Sequence, residues 1–152
     1  MRVKTDIYFD VAVEPAQVFD ALAAIEMLPE WSAYSDARVA TRGESGRPQR
    51  VYVTADTLLG RSDLQVLEYE WTDGRVSWQV VDSCVGLGGG GWFEVSEDRA
   101  GAQVWYHTEL QSSLLLPGLL LKRSVRRESE TVARNFIHFA EGFAAPPHSR
   151  AV

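Results

Sequence analysis

Between Asp36 and Gln111 the chain alternates apolar and polar residues through six successive segments, about 36–43, 48–58, 62–72, 75–83, 85–97 and 102–111, with only a few residues between one and the next. Connections that short join antiparallel neighbours, because a parallel crossover needs a dozen residues or more. The breaks carry the expected turn chemistry: Gly43-Glu44-Ser45-Gly46, Gly60-Arg61-Ser62, Thr72-Asp73-Gly74 and Asp98-Arg99-Ala100-Gly101. An earlier segment, with Val3, Ile7, Phe9, Val11 and Val13 in period-two phase, adds a seventh strand.

Two stretches break this pattern. After Glu14-Pro15, the residues Val18, Phe19, Leu22 and Ile25 recur at helical spacing, which predicts a short helix closed near Pro29, with Trp31 and Tyr34 in a second short helical or irregular turn. After Pro117-Gly118 no breaker occurs until Gly142, and Leu121, Val125, Val132, Phe136, Phe139 and Phe143 form one stripe of a helix of about 25 residues. The expected fold class is therefore α+β: a seven-stranded antiparallel curved sheet around a long C-terminal helix, with one or two short helices after the first strand. A twisted sheet that curls around a helix buries both apolar surfaces and easily leaves a cavity between them. A chain of 152 residues suits one domain, taken as 1–145, and the proline-broken segment 146–152 is expected to be a disordered tail.

Composition narrows the function. A net charge of −6 argues against a nucleic-acid partner, which needs a basic surface. The single cysteine, Cys84, excludes an internal disulfide and fits a reducing compartment. With no apolar signal core at the N-terminus and no run of about 20 apolar residues, stable membrane insertion is not expected and the cytoplasm is the expected location. His107 and His138 have no companions at ligand spacing and His148 falls in the tail, so no metal site is expected. Gly86 to Gly91 mimics a dinucleotide fingerprint, but Trp92-Phe93-Glu94-Val95 continues as strand where a helix N-terminus would be needed. Those glycines are expected to permit a bulge, a bend or close backbone approach, and no cofactor is implied.

Strand parity gives the candidate lining. If Phe93 and Val95 face inward, so do Val104, Tyr106, Thr108 and Leu110, while Trp105, His107 and Glu109 face away. Val76, Trp78, Val80 and Asp82 share a face, and Leu64 and Val66 lie out of phase with Leu67, Tyr69 and Trp71, which predicts a bulge near Leu67. Of the alternating residues on the third strand, Val51, Val53 and Ala55 are expected inside and Tyr52 and Thr54 outside. The candidate ligand contacts are Trp31, Tyr69, Trp71, Trp78, Phe93, Tyr106 and Thr108, together with Leu121, Val125, Glu128 and Val132 from the long helix, with core packing the competing role for each aromatic. Glu128 admits two readings: a carboxyl raised in pKa inside an apolar pocket, or a surface partner of Arg123, Arg127 or Arg134. Lys122, Arg123, Arg126 and Arg127 are either a solvated face or a site for a ligand carboxylate or phosphate.

Four local features carry a resemblance. Val13-Glu14-Pro15-Ala16 with Val18-Phe19 opens the first helix, Pro29-Glu30-Trp31 ends the helical pair, Phe93-Glu94-Val95 to Gly101-Ala102-Gln103-Val104 forms the penultimate hairpin, and Leu116-Pro117-Gly118-Leu119 leads into the last helix. In this order they resemble the SRPBCC superfamily, which includes START domains and birch-type pollen allergens, and most nearly its bacterial polyketide cyclase/dehydrase group. The resemblance implies a helix-grip fold with a pocket for lipids, polyketides or other apolar molecules, but it implies no single reaction. The leading expectation is a binder or carrier of a small apolar or amphipathic molecule. One rival is a cyclase or dehydratase in which Glu128 and Tyr106 handle protons. Another is an interaction module, such as a homodimer contact, built on Leu114–Leu121.

Overall fold

The structure, a computed structural model, describes residues 1–56, 62–112 and 118–143, with the side chains of residues 118 and 119 also left undescribed. The Gly60-Arg61 turn, most of the Leu114–Leu121 run and the tail 146–152 lie outside these residues. Strand β1 (Arg2–Val11) is followed by helix α1 (Pro15–Ala23), a single 3-10 turn (Ile25–Met27) and the one-turn helix α2 (Leu28–Trp31). Strands β2 (Tyr34–Arg42), β3 (Pro48–Asp56), β4 (Ser62–Thr72), β5 (Arg75–Ser83), β6 (Gly88–Asp98) and β7 (Gly101–Gln111) form a meander, and α3 (Gly118–Glu141) closes the order.

All seven strands belong to one antiparallel sheet ordered β1-β7-β6-β5-β4-β3-β2, so each sequential neighbour from β2 onward pairs and β1 returns to the far side of β7. The antiparallel sheet, the long helix and the short helices after β1 are the expected helix-grip arrangement. Prolines set the helical punctuation differently from expectation. Pro15 starts α1, but α1 ends at Ala23, and Pro29 lies in the first turn of α2 rather than closing the first helix. Tyr34 opens β2 rather than continuing the helical turn.

The core lies between sheet and helices. Val11, Val18, Ile25, Val51, Leu67, Val76, Val104 and Phe136 have almost no accessible surface, and Phe136 brings the stripe of α3 against Phe93 and Trp31. Burying side chains of this size contributes about 1.5–3 kcal/mol each. Val51 and Val53 are buried and Tyr52 is exposed, as parity required.

The bulge lies where the phase break placed it, but the extra residue is on the partner strand. Val66 pairs with Asp82 and Leu67 with Val80, so β5 carries Val81 as the surplus residue. The residues of β4 keep one phase throughout, with Asp63 and Leu67 buried and Leu64 exposed. Beyond the bulge the parity of β5 reverses. The expected common face therefore ends at Val80: Asp82 turns outward, and Ser83, paired with Gln65, turns inward.

Candidate ligand-binding site

A cavity of about 440 Å³ separates the middle of the sheet from α2 and α3. Its floor is a continuous aromatic sheet surface. Phe93 stacks on Tyr106 at 4.5 Å between ring centroids, Trp78 lies 5.5 Å from Phe93 and 6.3 Å from Tyr106, and Tyr69 lies 6.4 Å from Trp78. Rings at these offsets reinforce one another beyond the area they bury, which holds the floor rigid. A glycine makes room for it: Gly91 pairs with Trp78, and a Cβ at residue 91 would lie 2.8 Å from the Trp78 indole. At Gly89 φ is +119° and a Cβ would meet the Glu109 carbonyl oxygen at 2.0 Å, so the glycine run serves close backbone approach.

The roof comes from α3, where Leu121, Val125, Glu128 and Val132 line the cavity with Ser124 and Ser129, and from Leu28, Trp31 and Tyr34 on the α2–β2 side. One end is shaped by Cys84, Val85 and Leu87, in the connection from β5 to β6. That connection is tied down by Asp63, a carboxylate with no accessible surface. Asp63 accepts hydrogen bonds from Gln65 Nε2 at 2.8 Å, Ser83 Oγ at 2.7 Å, the Cys84 amide at 2.9 Å and the Val85 amide at 3.3 Å. A buried carboxylate this fully bonded is tolerated where a bare one would not be.

Residues 2–138 match the family described as polyketide cyclase / dehydrase and lipid transport. The chain belongs to that family. None of the curated proteins matches the chain in sequence. Solved structures share the family's fold at low identity. A START superfamily protein of Mycobacterium smegmatis superposes with a TM-score of 0.78 at 14% identity, covering 92% of this chain and 97% of its own. The protein TTHA0849 of Thermus thermophilus gives 0.72 at 18% identity over 92% and 97% of the two chains. The ZhuI aromatase/cyclase of Streptomyces sp. R1128 gives 0.71 at 13% identity over 93% of each.

Within this family member, Trp31, Tyr69, Trp78, Phe93, Tyr106, Thr108, Leu121, Val125, Glu128 and Val132 all line the cavity. Trp71 does not. It stacks on Tyr69 but donates its indole N–H to the Pro48 carbonyl at 2.7 Å and lies under the Arg47 guanidinium, closing the sheet beyond the cavity.

Glu128 fits neither expected reading cleanly. It forms no ion pair with Arg123, Arg127 or Arg134; the pair on this helix joins Arg126 to Glu130 at 3.2 Å, and Arg134 bonds Thr131. Nor is it sealed inside. The residue is exposed, lining both the cavity and a shallower groove shared by Trp31, Ser32, Arg127, Thr131 and Asn135. Surrounding protein nevertheless desolvates the carboxyl enough to raise its pKa. The basic side chains Lys122, Arg123 and Arg126 do not line the cavity, and Arg127 reaches only the outer groove.

Polar groups line the cavity on both floor and roof. Burial pushes the Tyr34, Tyr69 and Tyr106 phenols far above their usual range, and the Glu128 charge adds to this at Tyr34 and Tyr106. All three stay protonated, so each carries an O–H able to donate to a ligand. Thr108 Oγ1 and Trp31 Nε1 are buried without a hydrogen-bond partner among the described residues. Tyr34, Gln65 and Asp63 were not among the expected site residues. The register shift between Tyr34 and Asp36 hid the inward phase of Tyr34, and the carboxylate and amide on an inward phase gave no apolar signal to follow.

Proposed function

We propose that this protein binds and carries a small apolar or amphipathic molecule in the cavity between sheet and α3. The observation that carries the reading is the 440 Å³ space floored by Tyr69, Trp78, Phe93 and Tyr106, large enough for a compact ligand and too apolar to be a solvent channel. Membership of a family that includes lipid transport supports it. None of the described helices is long and apolar enough to cross a membrane. The reading takes the protein to work in the cytoplasm, with a small molecule rather than a nucleic acid as its partner.

A cyclase or dehydratase role is less well supported. Protonated phenols are poor bases, and Glu128, the one titratable carboxyl on the roof, stands at the rim without a second group to orient it. The binding reading is tested by extracting protein purified without detergent, identifying what it carries by mass spectrometry, and titrating the stripped protein with N-phenyl-1-naphthylamine. Saturable fluorescence enhancement that is lost in a folded Trp78→Ala variant is the expected result. Absence of both a carried molecule and probe uptake would refute it.

A further inference from the structure

We infer that the cavity selects a positively charged amphiphile, an apolar body carrying a protonated amine, and that Glu128 is the group that reads the charge. The inference rests on the binding reading above and adds the chemical class of the ligand. Among the described residues that line the cavity there is no lysine, arginine or histidine, while Asp56, Glu109 and Glu128 all do so. These three carboxylates are not equivalent. Glu109 is already engaged by Lys4 at 3.6 Å and His107 at 3.2 Å on the far side of the sheet; Asp56, at the end of β3, and Glu128, on α3, are both exposed, but Glu128 is the one set between the cavity and the groove beside Trp31 and Val132. Glu128 lines the aromatic chamber from the helix with no hydrogen bond or ion pair to any described residue; Arg126 is paired with Glu130, Arg134 is bonded to Thr131, and Arg127 reaches only the outer groove.

A ligand carboxylate or phosphate placed here would bring a second negative charge beside Glu128 with no cation among the described residues that line the cavity. An ammonium group meets the opposite situation. It pairs with a partly desolvated carboxylate, and Trp31, Tyr34 and Tyr106, which line the same cavity, are aromatic side chains of the kind that attract a cation. Desolvation raises the pKa of Glu128, which agrees with a carboxyl that has no described cation beside it to favour its charge. The net charge of −6 favours the approach of a cation as well.

The test is displacement of N-phenyl-1-naphthylamine, an uncharged probe, by dodecylamine, dodecan-1-ol and dodecanoate below their micelle concentrations at neutral pH and physiological salt. The amine is expected to displace the probe at about tenfold lower concentration than the alcohol, the equivalent of one charge-assisted contact, and dodecanoate to be weakest. Glu128→Gln should erase the gap between amine and alcohol, and Glu128→Lys should reverse the order in favour of dodecanoate. Both variants are checked for helical circular dichroism. Dodecanoate binding as tightly as the amine, or an amine preference that survives Glu128→Gln, would overturn the charge assignment while leaving the binder intact. A probe that fails to bind at all, or that no compound displaces, removes the binding reading and this inference with it.

Discussion

At the scale of single residues, Glu128 shows how location decides chemistry. Its helical position was legible from the three- and four-residue spacing with Leu121, Val125 and Val132, but its partners were not, because periodicity gives a face and says nothing of which neighbouring arginine bends back. The consequence for stability has a definite sign. A carboxyl whose pKa is raised on folding contributes most at pH below its unfolded value and loses that contribution as pH rises through the folded value. At neutral pH the charged form is therefore a liability. Glu128→Gln is expected to leave the melting temperature unchanged or raise it at neutral pH, and to lose that advantage near pH 4. Thermal denaturation of both proteins across that range checks it. Parity had more to offer for the floor: Tyr69, Trp78, Phe93 and Tyr106 follow from alternation alone, since β4, β6 and β7 keep their phase across the region that matters. Trp71 shares that phase and still falls outside, because parity fixes the face of a strand and not the position along it at which the cavity ends.

Among elements, the pairing of β1 with β7 carries a polar cluster on the face turned away from α3. Asp6 accepts from Trp105 Nε1 at 2.7 Å and meets His107 Nδ1 at 2.6 Å, and Glu109 meets His107 Nε2 at 3.2 Å. Burial alone would raise the Asp6 carboxyl, but the hydrogen bonds from Trp105 and His107 outweigh it and hold it low; at Glu109 the His107 bond is the main cause of the same direction. These contributions are present above the unfolded carboxylate pKa and are lost as pH falls through the folded values. Asp6→Asn is expected to lower stability by about 1 kcal/mol at neutral pH, at the low end for bonds to a charged group because the carboxylate is half in water. It should also flatten the loss of stability below about pH 4, which urea denaturation at several pH values would measure. Element order and sheet topology were legible because every connection after β2 is short. Helix ends were less so: Pro15 opens α1 as its place before the helical spacing suggested, but Pro29, which read as the close of that helix, lies in the first turn of the next one.

For the whole molecule, an open cavity means that the folded chain forgoes contacts a filled core would make, and a ligand can restore them. A compound that binds only the folded form stabilises by about 2.7 kcal/mol at a hundredfold excess over its dissociation constant. For a chain of this size that corresponds to a rise in melting temperature of about 5–10 °C. A shift of that order with dodecylamine, absent in a folded variant that no longer takes up the probe, is the expected signature. The cavity itself was foreseeable from a curved sheet facing one long helix, whereas the shape of its end was not, because that depends on Val81. The surplus residue turns Ser83 inward to meet Asp63 and sends Asp82 out. For the evolution of this family member, that makes the register of β5 beyond Val80 a chemical variable in its own right. A lineage that takes Val81 into the ladder, opposite Val66, inverts the end of the chamber in a single step, moving Asp82 opposite the inward Gln65 and depriving Asp63 of the Ser83 hydroxyl, a change that no single substitution there reproduces.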